Sequence, residues 1–448
     1  MNSRRRRMLK EKLANDPTRR EFLWKGACAA LTATGIASTI WDLRGIRAAA
    51  ADQISANDPA LTSDYKALVC IFLFGGNDGN NFLIPTDGSA GNPPYTGTYA
   101  QYYAARQAIA ILPPSIAPLN YTDPQHTYGL HPGAAPLATL INQGKAAILC
   151  NVGTLLAPTS QSDYKNRKVP IPPQLFSHSD QQIEWQTAVE DQAPKTGWGG
   201  RTADLLYSLN TDNSVSMNIS LAGANTFEVG DTIHEYNVST GGAVSLNIPT
   251  SGQGPAQLQA LKDLIAMNHN NLYESAFASK MDTALTNAAT LNAAIAPTSN
   301  ANFFTTPFPT STLGKQLKMI ARLIQASGNT TVPSGGSPTL GHNRQIFFAS
   351  VGGFDLHATQ GGLTGAHANL FADLSTCMKA LYDATVQMGV ANNVTQFTAS
   401  DFSRTFPANG DAGTDHGWGN HQFILGGAVQ GGDFYGRMPS LAVAGPDD

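Results

Sequence analysis

The chain has 448 residues, enough for one large domain or two ordinary ones. Apolar residues make up 42% and charged residues only 13%, well below the usual quarter, so Asn, Gln, Ser, Thr and Gly supply most of the polar surface. The net charge of −4 hides a basic head and an acidic body: residues 1–51 carry 11 Lys+Arg against 4 Asp+Glu, the rest 17 against 28, and an acidic body without a basic stripe argues against nucleic acid as a partner.

The basic head begins at Arg4 to Arg7, and Thr18-Arg19-Arg20-Glu21-Phe22-Leu23 matches the twin-arginine export consensus. A modestly apolar stretch over 27–41 and the small-residue run Arg47-Ala48-Ala49-Ala50-Ala51 follow, in the order of a cleavable signal. The apolar stretch is too short and weak for a stable membrane span. Residues 1–51 are therefore expected to be a signal removed after Ala50 or Ala51. The mature chain would be periplasmic or secreted, with the twin-arginine machinery as its export partner. Of the four Cys, Cys28 leaves with the signal. Cys70 and Cys150 sit in apolar strand-like runs, Cys377 in a helical pattern, and without a CxxC spacing all three read as buried free thiols.

The mature chain opens on an apolar, β-rich run over 67–74, the pattern of a central strand buried on both faces. It stops at Gly75-Gly76-Asn77-Asp78-Gly79, which leaves Asp78 at the strand's C-terminal edge, where ligands bind in open α/β sheets. A Pro-, Gly- and Tyr-rich excursion over 88–125 follows, then a short helix over 134–142 and a strand over 145–152, together a βαβ-type unit. In Phe176-Ser177-His178-Ser179-Asp180, either Ser179 or Asp180 can cap a helix, placing Ser177 and His178 at its N-terminus.

Residues 205–305 carry weak signals and read as an inserted or cap region, with a strand over 215–221 and helices over 258–294. The pattern sharpens at an amphipathic helix marked by Leu313, Leu317, Ile320 and Ile324. A strand over 345–351 ends in Gly353-Phe354-Asp355-Leu356-His357. A helix through Leu370, Leu374 and Leu381 then leads to a strand over 394–399 ending at Asp401. This order predicts an α/β fold, a doubly wound, mostly parallel sheet flanked by helices, in a single domain over 52–448.

Three expected strands thus end in acids, Asp78, Asp355 and Asp401, and His357 and the Asp415-His416 pair lie close by in the chain. Carboxylates with imidazoles suit zinc, manganese or iron, and oxygen-only donors suit magnesium or calcium. One or two such divalent ions would serve; two about 4 Å apart would activate a nucleophile and neutralise an ester oxygen. Singly, each residue has a plainer explanation. Asp78 can be a turn former, His357 a surface histidine and Arg404 the partner of Asp401, while His126, His234, His269, His342 and His367 read as structural.

Leu73-Phe74-Gly75-Gly76-Asn77-Asp78-Gly79, Leu130-His131-Pro132, Ser177-His178, Thr196-Gly197-Trp198, Gly353-Phe354-Asp355-Leu356-His357, Asp401-Phe402-Ser403-Arg404-Thr405 and Asp415-His416-Gly417-Trp418-Gly419 occur in one order along the chain. In this the chain resembles the exported bacterial family of domain of unknown function 1501, itself similar to the alkaline phosphatase and sulfatase superfamily. The resemblance implies Asp78, Asp355, His357, Asp415, His416 and His421 as metal ligands. It also implies Ser177 as nucleophile, with His178 and Arg404 contacting the anion. Two departures stand out: Asp401-Phe402-Ser403 replaces the family's Glu-Phe-Gly, and the chain stops at Asp448 where relatives continue through another helix, as a truncated product would. The expected activity is a metal-dependent hydrolase or transferase acting on a small-molecule or polymer phosphate or sulfate ester. The alternative is a catalytically silent exported binding protein on the same fold. A nucleotide-dependent oxidoreductase is disfavoured, because residues 75–79 lack the GxGxxG spacing.

Overall fold

The computed structural model describes residues 65–445 except 123–125, 193, 245, 247, 250, 296–302 and 332–336. The twin-arginine segment, the expected cleavage site and the chain's last residues, 446–448, lie outside the described residues.

Strand β1 (Lys66–Leu73) is the centre of the molecule. Its alternate side chains serve two cores: Val69, Ile71 and Leu73 one, Cys70 and Phe72 the other. A strand buried on both faces needs this unbroken apolar run. A one-turn helix α1 (Gly79–Phe82), strand β2 (Leu83–Pro85) and helix α2 (Gly97–Arg106) follow. With β2, strands β3 (Ala117–Thr122) and β4 (Thr127–Leu130) form a small antiparallel sheet. Helix α3 (Ala135–Asn142) leads into β5 (Ala146–Val152). Next come α4 (Gln161–Lys165), α5 (His178–Thr187), α6 (Trp198–Leu206), β6 (Asn218–Ser220), β7 (Tyr236–Ser239) and β8 (Gly242–Ala243). Helices α7 (Gly254–Ile265) and α8 (Leu272–Ala294) precede α9 (Thr312–Ala326), β9 (Arg344–Val351), α10 (Ala366–Gln387) and β10 (Val394–Ser400). The chain closes with a short pair, β11 (Ser403–Arg404) and β12 (His416–Gly417), then β13 (Asn420–Gly426) and β14 (Phe434–Gly436).

The main sheet is nine-stranded, in the order β14-β5-β13-β10-β1-β9-β6-β7-β8. Its layers follow from β1: α3, α9 and α10 pack on the Val69 face, and α5 and α6 on the Phe72 face, through residues such as Leu137, Leu317 and Phe371 against Trp185 and Ala203. The fold is α/β, as expected, and the sheet is mixed: most neighbouring strands run parallel, but three pairings are antiparallel. β1 runs parallel to β9 and β10, whereas β13 lies antiparallel between β10 and β5. The cause is the connection: residues 401–419 hold no helix, and a parallel return needs a crossover of helical size. β13 and β10 consequently separate β5 from β1, the two strands of the expected βαβ unit.

The stretch 205–305 gives β6–β8 to the sheet, and α8 packs beside β8 with Leu272, Tyr273 and Phe277 largely exposed. Cys70, Cys150 and Cys377 are free and buried. Among the described residues no helix is long and apolar enough to cross a membrane.

Candidate functional site

Because β1, β9 and β10 are adjacent and parallel, the loops after them leave one edge of the sheet together. Their approach is close. At Gly75 the backbone has φ +113, and a Cβ there would sit 2.4 Å from the Asp355 amide nitrogen; one at Gly76 would meet the Phe402 ring at 2.5 Å. Only glycine fits either place.

Arg404 fastens the three loops. Its buried guanidinium donates to the Gly75, Gly76 and Thr414 carbonyls and to Asp355 Oδ1. Every edge of the fork is occupied, so Arg404 acts as a strut. The expected anion contact is not available to it without breaking these bonds. Asp401 also differs from its expected pairing with Arg404: buried at the end of β10, its Oδ2 accepts from His178 Nδ1 at 2.7 Å, from Gln182 Nε2 at 2.9 Å and from the Gly75 amide.

Around Asp355 three imidazoles gather. His178 Nε2 lies 3.6 Å from Asp355 Oδ2, while His416 Nε2 at 3.6 Å and His357 Nε2 at 3.0 Å approach Oδ1. One donor atom each from His178, Asp355 and His416 falls within 4.8 Å of the other two, and His357 Nε2 is 3.0 Å from His416 Nε2. Behind each ring an acceptor holds Nδ1: Asp401 for His178, Asp415 Oδ1 at 3.0 Å for His357, and the Phe176 carbonyl at 2.8 Å for His416. A carbonyl or carboxylate behind Nδ1 selects the tautomer that carries its proton there, leaving the Nε2 lone pair directed away.

Burial lowers the His416 pKa, and nearby Arg404, His178 and His357 add to the effect against the Phe176 carbonyl, so the ring is neutral near pH 7. Burial pushes the Asp355 carboxyl up, but Arg404, His178 and His357 outweigh it and hold it below the usual range. Asp415 is also held low, chiefly by its bond from His357. The set is therefore a neutral His416 ring, the His178 and His357 imidazoles and an ionised carboxylate, partly open to solvent. Two Nε2 lone pairs facing each other at 3.0 Å need a cation or a proton between them. The donors fit a transition-metal dication.

The other expected ligands lie elsewhere. Asp78 is buried, ion-paired to Arg106, bonded by Gln360 Nε2 at 2.6 Å, and caps α1 through the Asn80 and Asn81 amides. Its carboxylate is fully used beneath the site rather than in it. Burial would raise its pKa, but Arg106, His367, Gln360 and the Asn81 amide hold it low. His421 is buried and accepts the Asn151 amide at Nδ1, 3.2 Å away. Ser177 occupies the position before α5, two residues earlier than the capping serine expected at 179, and its hydroxyl donates to Asp180 Oδ2 at 2.5 Å. Among the described residues no histidine bonds this hydroxyl.

Sequence reasoning placed His178 beside an anion rather than among the ligands. Its signal was present, a histidine in a loop opening a helix, but only the fold brings α5 over the end of β10. Arg106 and Gln360 had no signal, being single polar residues in otherwise ordinary stretches. A cavity of about 310 Å³ opens beside the cluster, with His416, Arg404 and Phe176 in its wall. A family described as "Protein of unknown function (DUF1501)" matches residues 65–447. No match was found among curated proteins.

Proposed function

The chain belongs to the family described as Protein of unknown function (DUF1501), and from that premise we propose an exported, metal-dependent hydrolase or transferase acting on phosphate or sulfate esters. The observation that carries this reading is the convergence of three histidine Nε2 atoms on Asp355, each ring held from behind at Nδ1. The likeness of the Asp415-His416-Gly417 run to the alkaline phosphatase and sulfatase superfamily supports the ester class, and the twin-arginine segment supports export.

His178, Asp355, His357 and His416 would hold one dication, with zinc or manganese favoured over magnesium or calcium by the imidazole nitrogens. Such an ion supplies Lewis acidity toward the ester oxygen. The residues do the rest. Asp401 and Asp415 fix ring orientation, and Arg404 fixes Asp355. Without a cation the carboxylates of Asp355, Asp401 and Asp415 outnumber the Arg404 guanidinium, so the cluster repels an anionic ester. Binding of a phosphate or sulfate should therefore depend on the metal. With Asp78 and His421 engaged elsewhere, the geometry supports one ion rather than two.

The alternative of a silent binding protein is favoured by one observation: the Ser177 hydroxyl is held by the Asp180 carboxylate, and among the described residues no histidine bonds it. Elemental analysis of the purified mature protein, with 4-nitrophenyl phosphate and sulfate assays, decides. One equivalent of metal and ester hydrolysis, both lost in His178→Ala and Asp355→Ala, is the expected result. Stoichiometric metal without hydrolysis selects the binding protein. A folded protein that takes up none of zinc, manganese, magnesium or calcium overturns the metal-dependent enzyme and its ligand set.

A further inference from the structure

The cavity beside the cluster has a composition of its own. Four aromatic side chains line it, Tyr164, Phe176, Phe406 and Trp418, arriving from α4, the loop before α5 and the two ends of the β11–β12 region. Between them stand hydrogen-bonding groups that the rest of the fold leaves over. Asn80 spends its amide nitrogen on the Arg404 carbonyl and keeps Oδ1. Gln161, Lys165, the Tyr164 hydroxyl and the Trp418 indole N–H have no hydrogen-bond partner among the described residues. Neither Asp nor Glu lines the cavity among those residues.

This mixture discriminates between ligands. A hydrocarbon chain would cover the rings but leave the amides, phenol and indole N–H unpaired as water is expelled, which is unfavourable for each buried group. A cation would find no carboxylate. A pyranose ring meets both demands, with C–H faces for the aromatic rings and hydroxyls at its edge for the neutral donors and acceptors. Volume agrees: about 310 Å³ lies at the lower end of ligand pockets, suited to one or two rings.

The cavity also continues. A wider, more open one of about 690 Å³ shares Asn151, Leu155, Thr159, Ser160 and Trp418 with it and extends to Arg437. Trp418 thus forms part of the wall of both, as a stacking platform between consecutive rings would.

We infer that this pair of cavities binds an oligosaccharide, and that the ester reaching the metal cluster is carried on one of its sugars. The position of the ester rests on the metal-centre reading; glycan binding does not. His416 is the shared boundary, since its Nε2 belongs to the cluster and its ring lines the cavity. Lys165 is placed to meet the anionic group of a sugar sulfate or phosphate.

The test is an array of neutral, phosphorylated and sulfated oligosaccharides, probed with the zinc-loaded mature protein, with 4-nitrophenyl sulfate as the small-ester comparison. The expected result is binding to ester-bearing glycans that weakens at least tenfold in Trp418→Ala and in Gln161→Ala. Gln161 lies at the start of the exposed helix α4, so its variant tests the idea even where the tryptophan variant fails to fold. Binding to the neutral forms of the same glycans, also weakened by the two variants, upholds the subsites and separates their fate from that of the metal. A protein that hydrolyses the nitrophenyl ester but binds no glycan overturns the inference while leaving the metal centre standing. Glycan binding insensitive to both substitutions overturns it as well.

Discussion

At the scale of single residues, the acids of this molecule divide by what stands behind them. Asp401 accepts the His178 Nδ1 proton at 2.7 Å, and an asparagine there can present an N–H instead, turning the ring so that Nε2 carries hydrogen. Asp401→Asn should therefore weaken zinc binding about 10- to 100-fold, the usual cost of losing such a partner, in a competition titration against a chelating dye. An unchanged affinity would show that His178 is not a ligand. Asp78 predicts the opposite pairing of effects. Its loss strands the buried Arg106 guanidinium, and Asp78→Ala should cost about 3–5 kcal/mol in denaturant unfolding. Yet it should still take up one equivalent of metal below its melting range; loss of metal with stability intact would return Asp78 to the ligand set.

At the scale of elements, the site depends on how closely three loops can pass. Gly75→Ala puts a Cβ against the Asp355 amide at a φ that L residues rarely adopt, costing about 1–3 kcal/mol in strain and moving Asp355. The expected outcome is a lower unfolding midpoint together with weaker zinc binding; a variant matching wild type in both would mean the loops have slack. The elements themselves were largely legible. β1, β9, β10, α9 and α10 bury regular faces, so Val69, Leu317 and Phe371 declared themselves by period. What periodicity cannot show is which strand lies beside which. β13 slots between β10 and β5 because its connection holds no crossover helix, and α5 lies over β10 through packing of Trp185 with residues far along the chain. The candidate ligands in the loop after β9 and on β12 were visible as Asp-His spacings. The one on α5 was seen but given another task, and the Asp78–Arg106 pair was illegible because its cation comes from an unrelated helix.

At the scale of the whole molecule, buried histidines set the pH response. Burial drops His367 to about 3 and His421 to about 4, from an ordinary 6.5. Both folded values are depressed, so the unfolded chain takes up these protons first. The stability they confer is complete above about pH 6.5 and is lost as pH falls toward the folded values. Between about pH 7 and about pH 5 each should cost about 2 kcal/mol, read by urea unfolding of the metal-free protein. A flat stability over that range would mean that one or both rings are already charged in the native state. The residues that meet in the cluster are far apart along the chain: His178 meets Asp401 across 223 residues, His416 meets the Phe176 carbonyl across 240, and His357 meets His416 across 59. No fragment of the polypeptide owns the centre, and each closure must wait on large loops. Tight metal uptake would then mark the end of folding rather than its beginning, and a nascent or clipped chain would pass through a metal-rich compartment without being loaded.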